Sequence, residues 1–319
     1  MKYKVVLTDS SLKDWERERQ MLACANAELV FLDTADPETI AAAAADADAI
    51  IVSYAQIDAG VIEKMRKCKC ISKMGIGINN IDVDYATRQG ILVTNVPDYC
   101  IEEVSDAVIA LALSFSRRIP FLWDTVRGGG WSLSGVEGIT RMTGRVFGFL
   151  GFGRIARRTA EKIKPFGVKL LANDPYIDAQ TAAGAGAELA ELDEVIRSAD
   201  FLSLNLSLNA ETTGIVDRNF LSRMKKTAIL INTSRGPLIN EPDLYEAILA
   251  GEIAGAGLDV LCNEAYDPEN RLFSLPNVII TPHAAFYSPD AVQEMSDKVF
   301  SDAIAALEGK EPKYPINRI

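Results

Sequence analysis

Residues 147–158 read FGFLGFGRIARR. The apolar run ending at Leu150 has the texture of a buried strand, and a helix starts near Arg154. Between them Gly151, Gly153 and Ala156 match the spacing G-x-G-x-x-G/A. There the first glycine allows a sharp turn, the second leaves room for a pyrophosphate, and a small third residue lets the helix pack close to the sheet. The helix start offers free N–H groups and a positive dipole end to the phosphates. Such a turn alone is common, and a plain strand-to-helix turn would look the same. The next strand adds weight: in LLANDP the strand ends with Asp174, 23 residues past Gly151, near the spacing of an acid that takes the adenosine ribose hydroxyls. A carboxylate there repels a 2′-phosphate, and Pro175 and Tyr176 follow it rather than Arg. The turn therefore predicts NAD in preference to NADP.

Outward from the turn, short apolar runs alternate with helix-like segments. Before it come KVVLTD, ELVFLD, AIIVSY, CISKMG and ILVTNV; RVFGFLG leads into it; VKLLAND, FLSLNL, AILINT, AGAGLDV and NVIIT follow. Segments such as PETIAAAAADAD, with Pro37 near its start, lie between them. This alternation predicts an α/β fold of two doubly wound parallel-sheet domains. Near residue 98 the texture changes. EEVSDAVIALALSFSRR puts Val104, Val108, Leu111 and Phe115 on one helical face, and the Gly/Ser loop RGGGWSLSG around Trp131 comes after it. SPDAVQEMSDKVFSDAIAALEG predicts a long amphipathic helix, with Pro289 near its start and Gly309 past its end.

Three further strands each lead into a candidate catalytic group: AILINTSRG into Arg235, AGAGLDVLCNE into Glu264, and NVIITPH into His283, the only histidine in the chain. In a parallel sheet these ends share the carboxyl edge with the glycine-rich turn, where ligands of such folds bind. The set fits reduction of a carbonyl by hydride transfer. A histidine is matched to protonating a developing alkoxide near neutral pH. A glutamate beside it fixes its tautomer and favours the imidazolium. An arginine holds a carboxylate bidentately. Taken singly, Arg235 also suits a surface ion pair, Glu264 a solvated loop acid and His283 a core histidine; their shared edge favours the site.

Composition bounds the rest. Apolar residues at 48% and charged residues at 24% fit a folded globular chain of about two domains. A net charge of −11 argues against nucleic acid as a partner, but a local arginine can still bind a small anion. Five cysteines at irregular spacing (Cys24, Cys68, Cys70, Cys100, Cys262) do not read as a disulfide framework and imply a reducing, cytoplasmic setting. Cys68 and Cys70 read as small apolar core residues. MKYKVVLTDS enters a strand without a signal-peptide pattern, and no apolar stretch reaches the roughly 18 residues of a membrane helix, so no membrane partner is expected.

With these residues in view, the chain resembles the NAD-dependent D-2-hydroxyacid dehydrogenase family over nearly its whole length. The matching stretches are MGIGINNID, NVPDYCIEEVSDAVIALAL, GGGW, GFLGFGRIA, NTSRGPLIN, AGAGLDV and NVIITPHAA. The resemblance implies a Rossmann cofactor domain, residues 99–289, inserted into a flavodoxin-like substrate domain of residues 1–98 and 290–319. It implies a homodimer through an arm at about 100–140, and a site completed by domain closure. Arg235 would bind the substrate carboxylate, with His283 as acid/base and Glu264 as its partner. NAD would lie against Gly151, Gly153, Arg154, Ile155, Asp174, Leu206, Thr212, Thr233, Ser234, Asp259 and Ala285, with Asp259 on the nicotinamide carboxamide. A small 2-oxo or 2-hydroxy acid would meet Ser53, Tyr54, Met74, Gly75, Ile76, Gly77, Tyr99 and Phe286.

NVPDYCIEEV and TPHAAFYS are most similar to the branch that includes the C-terminal binding proteins, which gives the alternative of an NAD-sensing, peptide-binding scaffold. The complete catalytic set argues against it, and so does the expectation that the chain carries no extra tail. Formate dehydrogenases of this fold carry Gln in place of the glutamate, so Glu264 argues against them. 3-Phosphoglycerate stays open as a substrate, although the chain is expected to lack a regulatory domain and only Lys73 suggests a phosphate contact. The sequence departs from the family at Asn205 and Ser207, where His and Pro are usual, and at Ala265, where Pro is common. It departs again at Lys73, where many members carry Arg, and at Phe286, where the corepressor branch has Trp.

Overall fold

A computed structural model describes residues 2–10, 12, 14–133 and 137–319. Ser134 and Gly135 of the RGGGWSLSG loop lie outside the described residues. The chain divides into two compact units, Met1–Tyr99 with Ser288–Ile319, and Cys100–Tyr287.

The first unit holds β1 (Tyr3–Leu7), β2 (Ala27–Phe31), β3 (Ala49–Val52), β4 (Cys70–Lys73) and β5 (Leu92–Thr94). All pairings are parallel and the order is β2-β1-β3-β4-β5, the flavodoxin-like winding with its reversal between β1 and β3. β3 and β4 are buried along their whole length, because helices cover both faces of such a sheet. That is why AIIV shows no alternation. Helix Pro289–Leu307 starts at Ser288, whose Oγ accepts the Ala291 N–H at 2.9 Å. It buries Met295, Val299, Phe300 and Leu307, and its Val299 carbonyl accepts the Ser72 hydroxyl of β4 at 3.2 Å. Cys68 and Cys70 are buried as core residues; burial pushes the Cys68 thiol up to about 12 and raises that of Cys70 as well.

The second unit holds β6 (Val146–Leu150), β7 (Lys169–Asn173), β8 (Glu188–Leu189), β9 (Phe201–Leu204), β10 (Ile229–Asn232), β11 (Gly255–Leu258) and β12 (Val278–Ile280). The order is β12-β11-β10-β9-β6-β7-β8, again all parallel. Counted from β6 this is the dinucleotide-fold order 3-2-1-4-5-6 with one strand added, and its winding reverses between β6 and β9. The sequence shows six of these seven strands. β8 escapes because two residues, paired as Leu171↔Glu188 and Ala172↔Leu189, are too short to carry a period. Phe147, Phe149 and Phe152 fill the core beside the glycine-rich turn. Helix Ile101–Arg117 buries Val104, Val108, Leu111 and Phe115 and ends at Arg118, whose left-handed backbone (φ 54°) starts helix Ile119–Arg127. That second helix buries none of its side chains.

Candidate active site

The turn after β6 sits where the winding reverses. Gly151 has φ 79°, and a Cβ on it would lie 2.5 Å from the Asn205 carbonyl oxygen beyond β9, so only glycine fits. Gly153, the residue just before helix Arg154–Ile163, is different: a Cβ there would meet nothing within 4 Å. That open space lies at the start of a helix, where the leading N–H groups have no carbonyl within the helix to bind. It is the space a pyrophosphate needs, so these residues fit a dinucleotide. Ala156 is fully buried under the helix. Asp174 pins the turn from β7, with Oδ2 accepting the Phe152 N–H at 2.7 Å and Oδ1 the Tyr176 N–H at 2.8 Å. Each oxygen keeps one lone pair for a ribose hydroxyl. Leu206 packs partly buried against the core. The Thr212 hydroxyl closes a local turn, accepting the Asn209 N–H at 2.9 Å and donating to the Ser207 carbonyl at 2.6 Å.

Beyond β10, the buried Asn232 shapes the loop that carries Arg235. Its Nδ2 donates to the Arg235 carbonyl at 2.9 Å and its Oδ1 accepts the Ser234 N–H at 3.0 Å. Ser234 Oγ donates to the Leu204 carbonyl at 2.8 Å, which ties the loop to β9. Arg235, partly exposed beside Thr233, donates from Nη1 to the Ser234 carbonyl at 2.6 Å. Gly236 follows with no clearance, since a Cβ there would lie 2.0 Å from the Leu261 carbonyl carbon. The Arg235 loop is thus pressed against the segment that leads to Glu264.

His283 Nδ1 and Glu264 Oε2 are 2.8 Å apart. The carboxylate accepts, so Nδ1 carries the proton of this bond. The His283 backbone is left-handed at φ 50°, and its N–H donates to the Asp259 carbonyl at 2.8 Å. Asp259 is 2% exposed. Its Oδ1 accepts the Thr281 hydroxyl at 2.6 Å and the Ala284 N–H at 2.9 Å, and its Oδ2 accepts the Ala285 N–H at 3.0 Å. Asp259 therefore holds the His283 loop, and Oδ2 keeps one lone pair for a further donor. Phe286 meets the imidazole edge-on at 6.0 Å.

In the first unit, Asp9 holds the loop after β3, accepting N–H groups from Ser53 at 3.3 Å, Tyr54 at 2.7 Å and Ala55 at 3.2 Å. Lys73 is buried, with Nζ bonded to the Ser53 carbonyl and lying 5.7 Å from the Tyr54 ring centre. Met74 and Tyr99 are buried and Tyr54 is exposed. The loop after β4 is set by the Asn95 side chain, which donates to the Ile76 carbonyl at 2.6 Å, and by the Val96 N–H on the Gly75 carbonyl at 3.0 Å. Among the described residues, the N–H groups of Gly75, Ile76 and Gly77 have no protein acceptor.

The NAD-binding domain of D-isomer-specific 2-hydroxyacid dehydrogenases matches residues 109–285. The chain belongs to that family. A D-3-phosphoglycerate dehydrogenase of Mycobacterium tuberculosis is 36% identical over 89% of this chain and 53% of its own. A glyoxylate reductase of Korarchaeum cryptofilum is 36% identical over 82% of this chain and 80% of its own. The structure of a D-lactate dehydrogenase from Aquifex aeolicus complexed with NAD and lactic acid superposes with a TM-score of 0.86, at 27% identity over 96% of both chains. The chain spans about half the length of the phosphoglycerate dehydrogenases it matches. As a family member it carries an NAD-binding domain, and the turn at Gly151–Gly153 lies within it. Among the described residues no helix is long and apolar enough to cross a membrane, and no three His, Cys, Asp or Glu side chains are grouped to hold a metal.

Proposed function

We propose that this protein interconverts a small 2-oxo acid and its D-2-hydroxy acid with NAD(H). The observation that carries the reading is the 2.8 Å contact of His283 and Glu264 in a unit whose sheet also carries the Gly151 turn and the Arg235 loop at strand ends. The bound dinucleotide supplies the hydride of the reduction. His283 donates a proton from Nε2 to the substrate oxygen, while Nδ1–H stays hydrogen-bonded to Glu264, which fixes the ring's orientation. Arg235 takes the substrate carboxylate through its planar fork. The N–H groups of Gly75, Ile76 and Gly77 are further donors for that carboxylate, and Ser53, Tyr54, Met74, Tyr99 and Phe286 contact the rest of the substrate. Asp174 selects NAD over NADP by repelling a 2′-phosphate. Thr233, Ser234, Leu206, Thr212 and Ala285 line the dinucleotide, and Asp259 meets the carboxamide through its remaining lone pair. Exposed Ile119, Trp123 and Val126 support a homodimer through the 100–140 arm. None of the five cysteines forms a disulfide, which fits a reducing cytoplasm.

The test is NADH consumption with glyoxylate, hydroxypyruvate, phosphohydroxypyruvate, pyruvate, and branched and aromatic 2-oxo acids, run beside His283→Asn. The expected result is turnover on some of these, lost by a factor of about 100 or more in the variant with NADH binding retained. Equal turnover by the variant removes His283 from its role. Tight NADH binding without turnover on any acid removes the reductase reading.

A further inference from the structure

We infer that Glu241 is a positioning residue that sets the geometry of the Glu264–His283 pair by clamping both ends of the loop that carries Glu264. The inference rests on the acid–base reading of that pair. Glu241 opens helix Glu241–Leu249, where a carboxylate is favoured by the helix dipole. Its Oε1 accepts the Cys262 N–H at 2.6 Å and its Oε2 accepts from Asn270 Nδ2 at 3.2 Å. Those partners bracket the segment 262–270. Hydrogen bonds to a charged acceptor are roughly twice as strong as neutral ones.

Within the bracket, apart from the Glu264–His283 contact itself, the hydrogen bonds are local. Asn263 Oδ1 accepts the Ala265 N–H at 3.2 Å and Asp267 Oδ1 the Glu269 N–H at 2.9 Å, which shapes turns without fixing them to the body of the unit. The Glu264 side chain is 42% exposed, so packing does little to hold it. Ala265 also lacks the backbone restraint of a proline. What fixes the base of Glu264 is Cys262, two residues earlier, held at its N–H by Glu241, at its thiol by the Ile239 carbonyl at 3.7 Å, and by the contact of Gly236 with Leu261 and Cys262. Burial and the neighbouring Glu241 charge push the Cys262 thiol up to about 11, so it stays a thiol and adds no charge of its own. Releasing Glu241 frees the loop and lets Glu264 drift from the imidazole.

Because His283 is the only histidine in the chain, its ring can be observed alone in tag-free, full-length protein labelled with 15N-histidine. The ring signals and the exchange of the Nδ1 proton with water are compared in wild type, Glu264→Gln, Glu241→Ala and the double variant. The expected result is faster Nδ1–H exchange in Glu241→Ala, with signals moved toward those of Glu264→Gln, and a double variant that matches Glu264→Gln alone. Wild-type signals in Glu241→Ala, or an undiminished further change in the double variant, overturn the proposal. Glu241→Gln and Asn270→Ala each keep the Cys262 contact available and give smaller shifts in the same direction if Glu241→Ala does not fold; wild-type signals in both would then overturn it. On an accepted 2-oxo acid, Glu241→Ala lowers kcat by about ten-fold or more, the scale of a small misplacement, with NADH affinity kept. The ring signals need no substrate, so they test Glu241 even where the 2-oxo acid panel fails.

Discussion

Gly151 approaches Asn205 so closely that a Cβ on the glycine would sit 2.5 Å from the Asn205 carbonyl oxygen, while the same atom on Gly153 would touch nothing within 4 Å. Two glycines of one motif thus serve different ends. Gly151→Ala must move backbone and should lower stability by about 2–4 kcal/mol, the range of severe core and backbone lesions. Gly153→Ala should melt near wild type yet bind NADH about ten-fold more weakly or worse, a loss of about 1.4 kcal/mol. Thermal melts and fluorescence titration separate the two. A Gly153→Ala protein with wild-type NADH affinity would remove the phosphate from this turn.

Asp174 both pins the turn and faces the ribose in the proposed complex. Asp174→Asn keeps one acceptor oxygen and loses the charge. NADH affinity should fall by about ten-fold, and NADPH should lose less or gain, because the repulsion of a 2′-phosphate is gone. An unchanged ratio of the two affinities would count against the assignment.

Arg235→Lys exchanges a planar fork for a point charge in a loop already fixed by Asn232. A loss of about 100-fold in kcat/KM for the 2-oxo acid is expected, the scale on which misorientation of a bound reactant acts. NADH binding should be unaffected. Steady-state kinetics with direct NADH titration checks both halves, and a variant with unchanged KM and kcat would end the carboxylate role.

Acid should release a contact in the first unit. Lys298 Nζ lies 2.6 Å from Asp98, and the Tyr314 hydroxyl donates to the same carboxylate at 2.9 Å. Burial alone would raise the Asp98 pKa, but the hydrogen bonds from Lys298 and Tyr314 outweigh it and hold the carboxyl below its ordinary value. A carboxyl with a depressed folded pKa adds stability above its unfolded value and loses it as pH falls through the folded one. Lys298→Met should therefore cost about 1 kcal/mol at pH 7, with the gap from wild type closing below the ordinary carboxylate range. Denaturant melts at several pH values test this; a gap that does not change with pH would show that Lys298 acts through packing.

Much of the candidate site is legible in the sequence because its proposed chemistry sits at strand ends, where apolar runs stop and a short polar signature begins. Gly151, Arg235 and His283 are such cases. Residues that hold candidate loops elsewhere were silent for the opposite reason: their partners are far along the chain. Asp9 serves a loop 44 to 46 residues away, and Glu241 reaches 21 and 29 residues ahead. No local period encodes such a pairing. Asn232 read only as the end of a strand, although its buried amide shapes the Arg235 loop. Resemblance marks Asp259 only as a candidate for the carboxamide; its hold on the His283 loop appears once β11 and β12 lie side by side.

The left-handed backbone of His283 decides which knockouts report on chemistry alone. Among the described non-glycine residues, only Asn26, Asp33 and Arg118 share a positive φ with it. Asparagine visits this region at little cost, whereas a β-branched residue is a genuine outlier there. A valine scan at position 283 would fold a rearranged loop into every rate it measured. Asparagine keeps the loop's path and deletes only the imidazole, so its residual rate is the background against which the proposed proton transfer is measured.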